Sequence, residues 1–134
     1  MRGAATGLYA DGWSGPYDSA YTRYSTAGGR AGTLRVQVSW KEWSGPNRAK
    51  ITIAMGTLTI GPDKQPRVGK VTAVRTWTIT AKKEKTFLLH APGPRFRLEV
   101  HVTPHFRPHD YDPASGDRRL LGAVITYTFS AKKR

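Results

Sequence analysis

The feature that most constrains this sequence is a series of short segments in which apolar and polar residues alternate with a period of two. In residues 34–40, Leu34, Val36 and Val38 alternate with polar side chains, a pattern typical of a β-strand with one buried face. The same pattern predicts further strands at residues 50–60, 71–80, 86–90, 96–103 and 121–129. Because each segment pairs an apolar stripe with a polar one, we expect antiparallel sheets covered on one face. An all-β sandwich or a small barrel meets this requirement.

Glycine and proline mark where these strands bend or end. Gly56 lies inside the segment 50–60, and a glycine in a strand interior predicts a β-bulge or bend. Residues 61–66 contain two prolines, a glycine and an aspartate, which predict a turn between two strands. The chain therefore leaves its strands at intervals of about ten residues, as sandwiches and barrels do.

Two of the four tryptophans have the parity of core residues. Trp40 continues the apolar stripe of residues 34–40, and Trp77 shares a face with Ile79 in residues 71–80. We therefore expect both indole rings to pack in the core, with the threonines of residues 71–80 on the wet opposite face.

Length, charge and cysteine content set the remaining bounds. With 134 residues, we expect residues 1–134 to form a single β-sandwich domain. The absence of cysteine excludes disulfides and thiolate metal sites. No apolar stretch reaches the roughly 18 residues of a membrane helix, so we expect the isolated chain to be soluble. The formal net charge of +13 suggests an acidic partner, although the scattered basic residues also fit an ordinary solvated surface.

The tetrapeptide WSGP occurs twice, at residues 13–16 and 43–46. The residues that follow the two copies differ, so we expect no duplicated repeat unit, and Ser-Gly-Pro predicts a tight turn at both places. Trp13 and Trp43 would then stand in loops among small and polar residues. Such a ring either stacks on the apolar face of a sugar or folds back over the edge of a sandwich. The sequence leaves both interpretations open.

Carbohydrate binding is the function that these loop aromatics favour. We expect Asp11 and Asp112 to hydrogen-bond sugar hydroxyls beside the rings. The positive field would favour an acidic glycan or an anionic envelope surface. The candidate stacking residues are Trp13, Trp43, Tyr9, Tyr17 and Tyr111.

Catalytic and metal chemistry have weaker signals. His101, His105 and His109 recur at the spacing that aligns metal ligands on a helix, but Pro104 and Pro108 interrupt any such helix. The sequence contains neither a G-x-S-x-G nucleophile motif nor a phosphate-binding P-loop. We therefore expect a protein that is not an enzyme and that holds no metal and no cofactor.

Two motifs near the ends of the chain carry a family resemblance. Residues 7–13 read G-x-Y-x-D-G-W, residues 106–108 read F-x-P, and residues 117–122 read D-x-R-x-L-G ahead of the last predicted strand. This pattern resembles the soluble β-sandwich domains, similar to carbohydrate-binding modules, at the C-terminal end of bacterial polytopic membrane glycosyltransferases and related cell-envelope proteins.

The resemblance implies a jelly-roll-like sandwich that is displayed outside the cytoplasm and engages a cell-envelope glycan or a lipid-linked sugar. It also implies a membrane-bound parent protein as a partner. Asp117 and Arg119 suit a scaffold role, since an arginine held by a nearby aspartate can bridge loop backbone. The residues at the motif positions are Asp11, Trp13, Asp117, Arg119, Leu121 and Gly122.

Two other functions remain open from the sequence. A basic β domain can bind nucleic acid or another polyanion by stacking bases on aromatic rings and neutralising phosphates, with strong salt dependence. Alternatively, the domain packs against its membrane-bound parent and buries its loop aromatics there. Carbohydrate is the partner that we expect first, and nucleic acid is less favoured.

Overall fold

The computed structural model describes residues 3–15, 17–24, 32–39, 48–80, 84–111, 114 and 116–131. The only helix in this part of the chain is α1, Pro108–Tyr111. The eight strands are β1 (Gly3–Thr6), β2 (Ser19–Arg23), β3 (Gly32–Ser39), β4 (Arg48–Ile60), β5 (Pro66–Thr80), β6 (Glu84–His90), β7 (Phe96–Thr103) and β8 (Val124–Ala131).

The strands form two antiparallel sheets. One sheet has five strands in the order β1-β2-β7-β4-β5, and the other has three in the order β6-β3-β8. Every strand pair within them is antiparallel. The chain crosses to the three-stranded sheet before β3, β6 and β8, and this repeated crossing fits a jelly-roll-like arrangement. The predicted all-β antiparallel sandwich is confirmed.

The core lies between the sheets and is built from the predicted alternation. In β3, Leu34, Val36 and Val38 are fully buried, whereas Arg35 between them is exposed. Burying each such side chain stabilises the fold by about 1.5–3 kcal/mol. The five-stranded sheet contributes the buried residues Ile51, Ile53, Met55, Ile79, Phe96, Leu98, Val100 and Val102.

One polar pair is buried between the sheets. The Tyr127 hydroxyl of β8 lies 2.8 Å from the Ser19 hydroxyl of β2, which donates to the carbonyl of Thr6 at 2.9 Å. Since the Ser19 proton is used toward Thr6, Tyr127 donates to the Ser19 oxygen. Burial raises the pKa of Tyr127 above its usual range, so the phenol keeps the proton that this chain of hydrogen bonds needs.

The predicted bulge in β4 is confirmed. The register between β4 and β5 shifts on both sides of Gly56, and a side chain at this position would collide with the backbone of Lys70. The turn predicted at residues 61–66 also forms: Lys64 adopts a φ of 62°, and its amide donates to the Gly61 carbonyl at 2.9 Å.

The prediction that Trp77 packs in the core is wrong. Its parity is as expected, because it pairs with the buried Ile51, but 42% of the residue is exposed. Because β5 is the edge strand of the five-stranded sheet, Trp77 lies at the rim of the sheet, where it is only partly covered, although Ile79 on the same face of β5 is fully buried. The Lys85 ammonium lies 4.3 Å from the Trp77 ring centroid, which gives a cation–π contact at this rim. Trp40 lies outside the described residues.

Strands β1 and β2 are not among those predicted. Both are short, and neither has a run of alternating apolar residues.

In the described part of the chain, no helix is long and apolar enough to cross a membrane.

Two adjacent leucines in β6 test the register of the sandwich. Leu89 is buried, whereas Leu88 is 65% exposed. We expect Leu89→Ala to lower the free energy of unfolding by about 2–5 kcal/mol and Leu88→Ala to change it by less than about 0.5 kcal/mol. Urea denaturation followed by circular dichroism measures both. Equal losses would contradict the register, since a slip of one residue exchanges the two faces of a strand.

Candidate functional site

The loop between β1 and β2 is folded around a tight turn at Tyr9–Gly12. The amide of Gly12 donates to the Tyr9 carbonyl at 2.9 Å, and the Tyr9 amide donates to the Trp13 carbonyl at 2.8 Å. Gly12 has a φ of 92°, a conformation that favours glycine. The turn therefore presents Asp11 at its tip, with Tyr9 and Trp13 on its two flanks.

Trp13 is not a free stacking ring, and this prediction is wrong. The residue is only 4% exposed, and its ring meets Phe106 edge to face, with centroids 5.7 Å apart. Its backbone pairs with Val124 at the start of β8. The ring therefore belongs to the core, as in the alternative in which a loop aromatic folds back over the sandwich. A sugar cannot reach it.

The first WSGP copy is also more than a turn. The Ser14 amide donates to the Ala123 carbonyl at 2.7 Å, and the Gly122 amide donates to the Ser14 carbonyl at 2.9 Å. The buried Ser14 hydroxyl accepts from the Ala123 amide at 2.9 Å. Gly122 is needed here because a side chain would collide with the Ser14 hydroxyl. Residues 13 and 14 thus pair like a short strand with the segment before β8, and the second copy lies outside the described residues.

Arg119 joins the two motifs that lie near the ends of the chain. Its guanidinium contacts Asp117 through Nε at 3.0 Å and Nη2 at 2.8 Å. It also contacts Asp11 through Nη1 at 3.2 Å and Nη2 at 2.9 Å. The hydrogen bonds from Arg119 lower the pKa of both carboxyls, and the carboxylates raise the pKa of Arg119. All three groups are therefore charged at neutral pH.

The same arginine positions the ring of Tyr9. The guanidinium carbon of Arg119 lies 4.8 Å from the Tyr9 ring centroid, a cation–π distance. Gly15 lies beside this ring, since a Cβ at that position would be in van der Waals contact with a Tyr9 ring carbon at 3.4 Å. The ring of Tyr9, in the loop that joins β1 to β2, is therefore held in place although it is only partly buried.

Tyr9 and Tyr17 line one open cavity of about 270 Å³. Tyr17 is 82% exposed, so its ring is available to a ligand, and the rest of the lining comes from Gly7, Leu8 and Gly15. This cavity, which we call the tyrosine cavity, is slightly smaller than the roughly 300–1,000 Å³ of drug-sized ligand sites. Its size and apolar lining suit a single small ring.

The structure brings some of the predicted site residues together and leaves others undescribed. Tyr9 and Tyr17 line the tyrosine cavity. Asp11 is not part of the lining, but it is bound by Arg119, which also contacts the Tyr9 ring. The backbone of Tyr111 ends α1, and its side chain is outside the described part. Trp43 and Asp112 also lie outside the described residues.

The remaining motif residues have packing positions. Leu121 is fully buried and pairs through its backbone with Phe106.

Leu8 and Gly15 are cavity residues that the sequence did not single out. Leu8 pairs through its backbone with Ser14, next to Gly15. No periodic pattern in the sequence indicates this pairing, so sequence analysis could not predict it.

His101 and His105 do not lie together in a metal-binding group. His101 Nδ1 lies 2.6 Å from Asp18 Oδ1. Burial, and then the charge of His101, lower the pKa of His105, which keeps that ring neutral at pH 7. Among the residues that the structure describes, no three His, Asp or Glu side chains are grouped to bind a metal.

Comparison with known proteins gave no relatives: no family model, no curated protein and no solved structure matches this chain. The resemblance to glycosyltransferase-associated sandwich domains therefore stays a prediction from the sequence motifs.

The Arg119 ion pairs make a prediction about pH. Arg119→Gln should lower the melting temperature by roughly 2–5 °C at neutral pH, whereas Arg118→Gln, a change at the exposed neighbour, should leave it unchanged. Because the pKa of Asp11 and of Asp117 is lowered in the folded state, their contribution is present above the ordinary value of 3.8 and is lost as the pH falls below it.

Thermal melts of the three proteins by circular dichroism, at neutral pH and well below pH 3.8, measure this effect. The gap between wild type and Arg119→Gln should close in acid. A gap of the same size at both pH values would contradict the ion-pair account.

Proposed function

We propose that this chain is a non-catalytic accessory domain that binds carbohydrate through the tyrosine cavity. The observation that carries the proposal is the pairing of an exposed ring, Tyr17, with a positioned ring, Tyr9, around one open apolar cavity. Aromatic faces bind the C–H faces of sugar rings by apolar contact. The ring of Tyr9 is already held by Arg119 and loses little conformational freedom on binding, which favours even a small site.

Asp11 supplies the polar contact that a sugar needs. Its carboxylate is ionised and half exposed while it is bound by Arg119. A carboxylate accepts several hydrogen bonds, so Asp11 retains acceptor capacity for sugar hydroxyls beside Tyr9. Four of the five N–H groups of Arg119 are engaged with Asp11 and Asp117, so one N–H is left to donate to a sugar hydroxyl at the same edge. We expect Asp11 and Arg119 to set the orientation of the sugar and Tyr17 to contribute most of the contact area.

The charge of the chain supports a choice among glycans. With 22 basic and 9 acidic residues, the domain attracts anions and raises their local concentration. We therefore expect acidic glycans of the cell envelope, or lipid-linked sugars with charged links, to bind better than neutral ones. In this proposal the domain is displayed outside the cytoplasm by a membrane-bound parent, as the resemblance of its two terminal motifs implies.

Substitution of Tyr17 tests the function. Tyr17→Ala should weaken binding of the best ligand from a varied glycan panel by about tenfold, because the exposed ring is removed without loss of core packing. Tyr17→Phe retains the ring and should bind within about twofold of wild type. Trp77→Ala removes a partly exposed ring that does not line the cavity and should have no effect. Isothermal titration calorimetry measures all four affinities.

Salt separates carbohydrate stacking from polyanion binding. The test uses a neutral glycan, because an acidic one would also bind more weakly at high salt. The neutral glycan should bind with nearly the same affinity at low and at high ionic strength, whereas a polyanion loses affinity steeply with salt. If no glycan binds, or if Tyr17→Ala binds as tightly as wild type, the proposed function is wrong. Tight, salt-sensitive binding of single-stranded nucleic acid in place of any glycan would favour the polyanion alternative.

A further inference from the structure

A second cavity lies on the outer face of the five-stranded sheet, where β4 runs between β5 and β7. It has a volume of about 310 Å³ and shares no lining residue with the tyrosine cavity. Its lining consists of Arg48, Ala49, Lys50, Thr78, Thr103 and Pro104.

The strand register brings the polar side chains of this cavity together. Lys50 pairs with Thr78 on one side and with Thr103 on the other, and directly opposite residues project from the same face of a sheet. Ala49 is buried toward the core, so Arg48 and Lys50 on either side of it project outward, where both are exposed. Two cations and two hydroxyls thus converge on one solvent-facing spot.

The cavity carries positive charge that its neighbours do not neutralise. Within the described ranges, neither Arg48 nor Lys50 forms an ion pair with an acid. The acids on this face of the sheet are already engaged: Glu99 binds Arg97 at 2.9 Å, and Asp18 binds His101 at 2.6 Å. An anion from outside is therefore the natural counter-charge for Arg48 and Lys50.

We propose that this second cavity binds a phosphate or sulfate group. The planar guanidinium of Arg48 can donate two parallel hydrogen bonds to two oxygens of such a group. The Lys50 ammonium and the hydroxyls of Thr78 and Thr103 can donate to the remaining oxygens. The group comes either from a soluble ester, such as a phosphorylated sugar, or from the headgroup of an anionic lipid, since both present the same oxygens.

The first experiment titrates the full chain with inorganic phosphate and follows backbone amides by NMR. We expect saturable shifts at Thr78 and Thr103 and none at Tyr17. The double substitution Arg48→Gln with Lys50→Gln should weaken binding by more than tenfold, on the order of the loss of two charge-assisted hydrogen bonds.

A control with the same change in net charge is available elsewhere on the surface. Arg35→Gln with Lys70→Gln removes two exposed charges from β3 and β5 and should bind phosphate as wild type does. Shifts that do not saturate, or equal weakening in both double variants, would overturn the site, because net charge alone would then explain the binding.

Vesicles distinguish the two sources of the anion. The wild type and both double variants are mixed with phosphatidylcholine vesicles that contain or lack phosphatidylglycerol. Sedimentation with the anionic vesicles that is lost only in the Arg48/Lys50 variant supports the site and assigns it to a lipid headgroup. No sedimentation, with phosphate binding retained, supports the site and assigns it to a soluble ester.

The proposals for the two cavities can be tested independently of each other. Tyr17→Ala should leave phosphate binding unchanged, and the Arg48/Lys50 variant should leave the binding of a neutral glycan unchanged. Loss of phosphate binding in Tyr17→Ala would contradict the independence of the second cavity.

Discussion

The burial of the Trp13 indole is the constraint on which the rest of the site depends. By packing against Phe106, this ring fixes the loop between β1 and β2 to the segment that leads into β8. Backbone hydrogen bonds of Ser14 with Gly122 and Ala123 then set the register of the two segments. With that register fixed, Arg119 reaches Asp11, and the tyrosine cavity opens beside them. Trp13, which sequence analysis assigns to ligand binding, therefore anchors the loop between β1 and β2 to the core.

The two candidate sites use the sandwich in different ways. The tyrosine cavity depends on a loop that is held by the packing of Trp13, by the backbone pairing of Ser14 and by the Arg119 ion pairs. The second cavity depends only on strand register, because Lys50 and its two threonine neighbours lie directly opposite one another in the sheet. Sites built on paired strands are more rigid than sites on loops.

The sequence predicts those parts of this protein that follow from periodicity. Alternation in residues 34–40 places Leu34 in the core, and the glycine at position 56 marks the bulge, because both effects are local. Trp77 shows where periodicity fails: parity predicts the face of the sheet on which it lies, but its place at the rim of an edge strand leaves the ring partly exposed, whereas Ile79 on the same face is buried. The prediction that the Trp13 ring is exposed is wrong for a related reason, because a loop residue joins the core only through contacts with segments that are distant in the sequence. The convergence of Arg48 and Lys50 with threonines from two other strands likewise depends on pairing that no local pattern encodes.

The proposal that the tyrosine cavity binds carbohydrate is tested most directly by observing contact between a bound sugar and the Tyr17 ring. An isotope-filtered NOE experiment on the labelled protein with its best glycan ligand measures this contact. Sugar binding in the tyrosine cavity predicts cross-peaks from the C–H protons on one face of a sugar ring to the aromatic protons of Tyr17 and Tyr9. Cross-peaks to the exposed Trp77 ring instead, with none to either tyrosine, would contradict it.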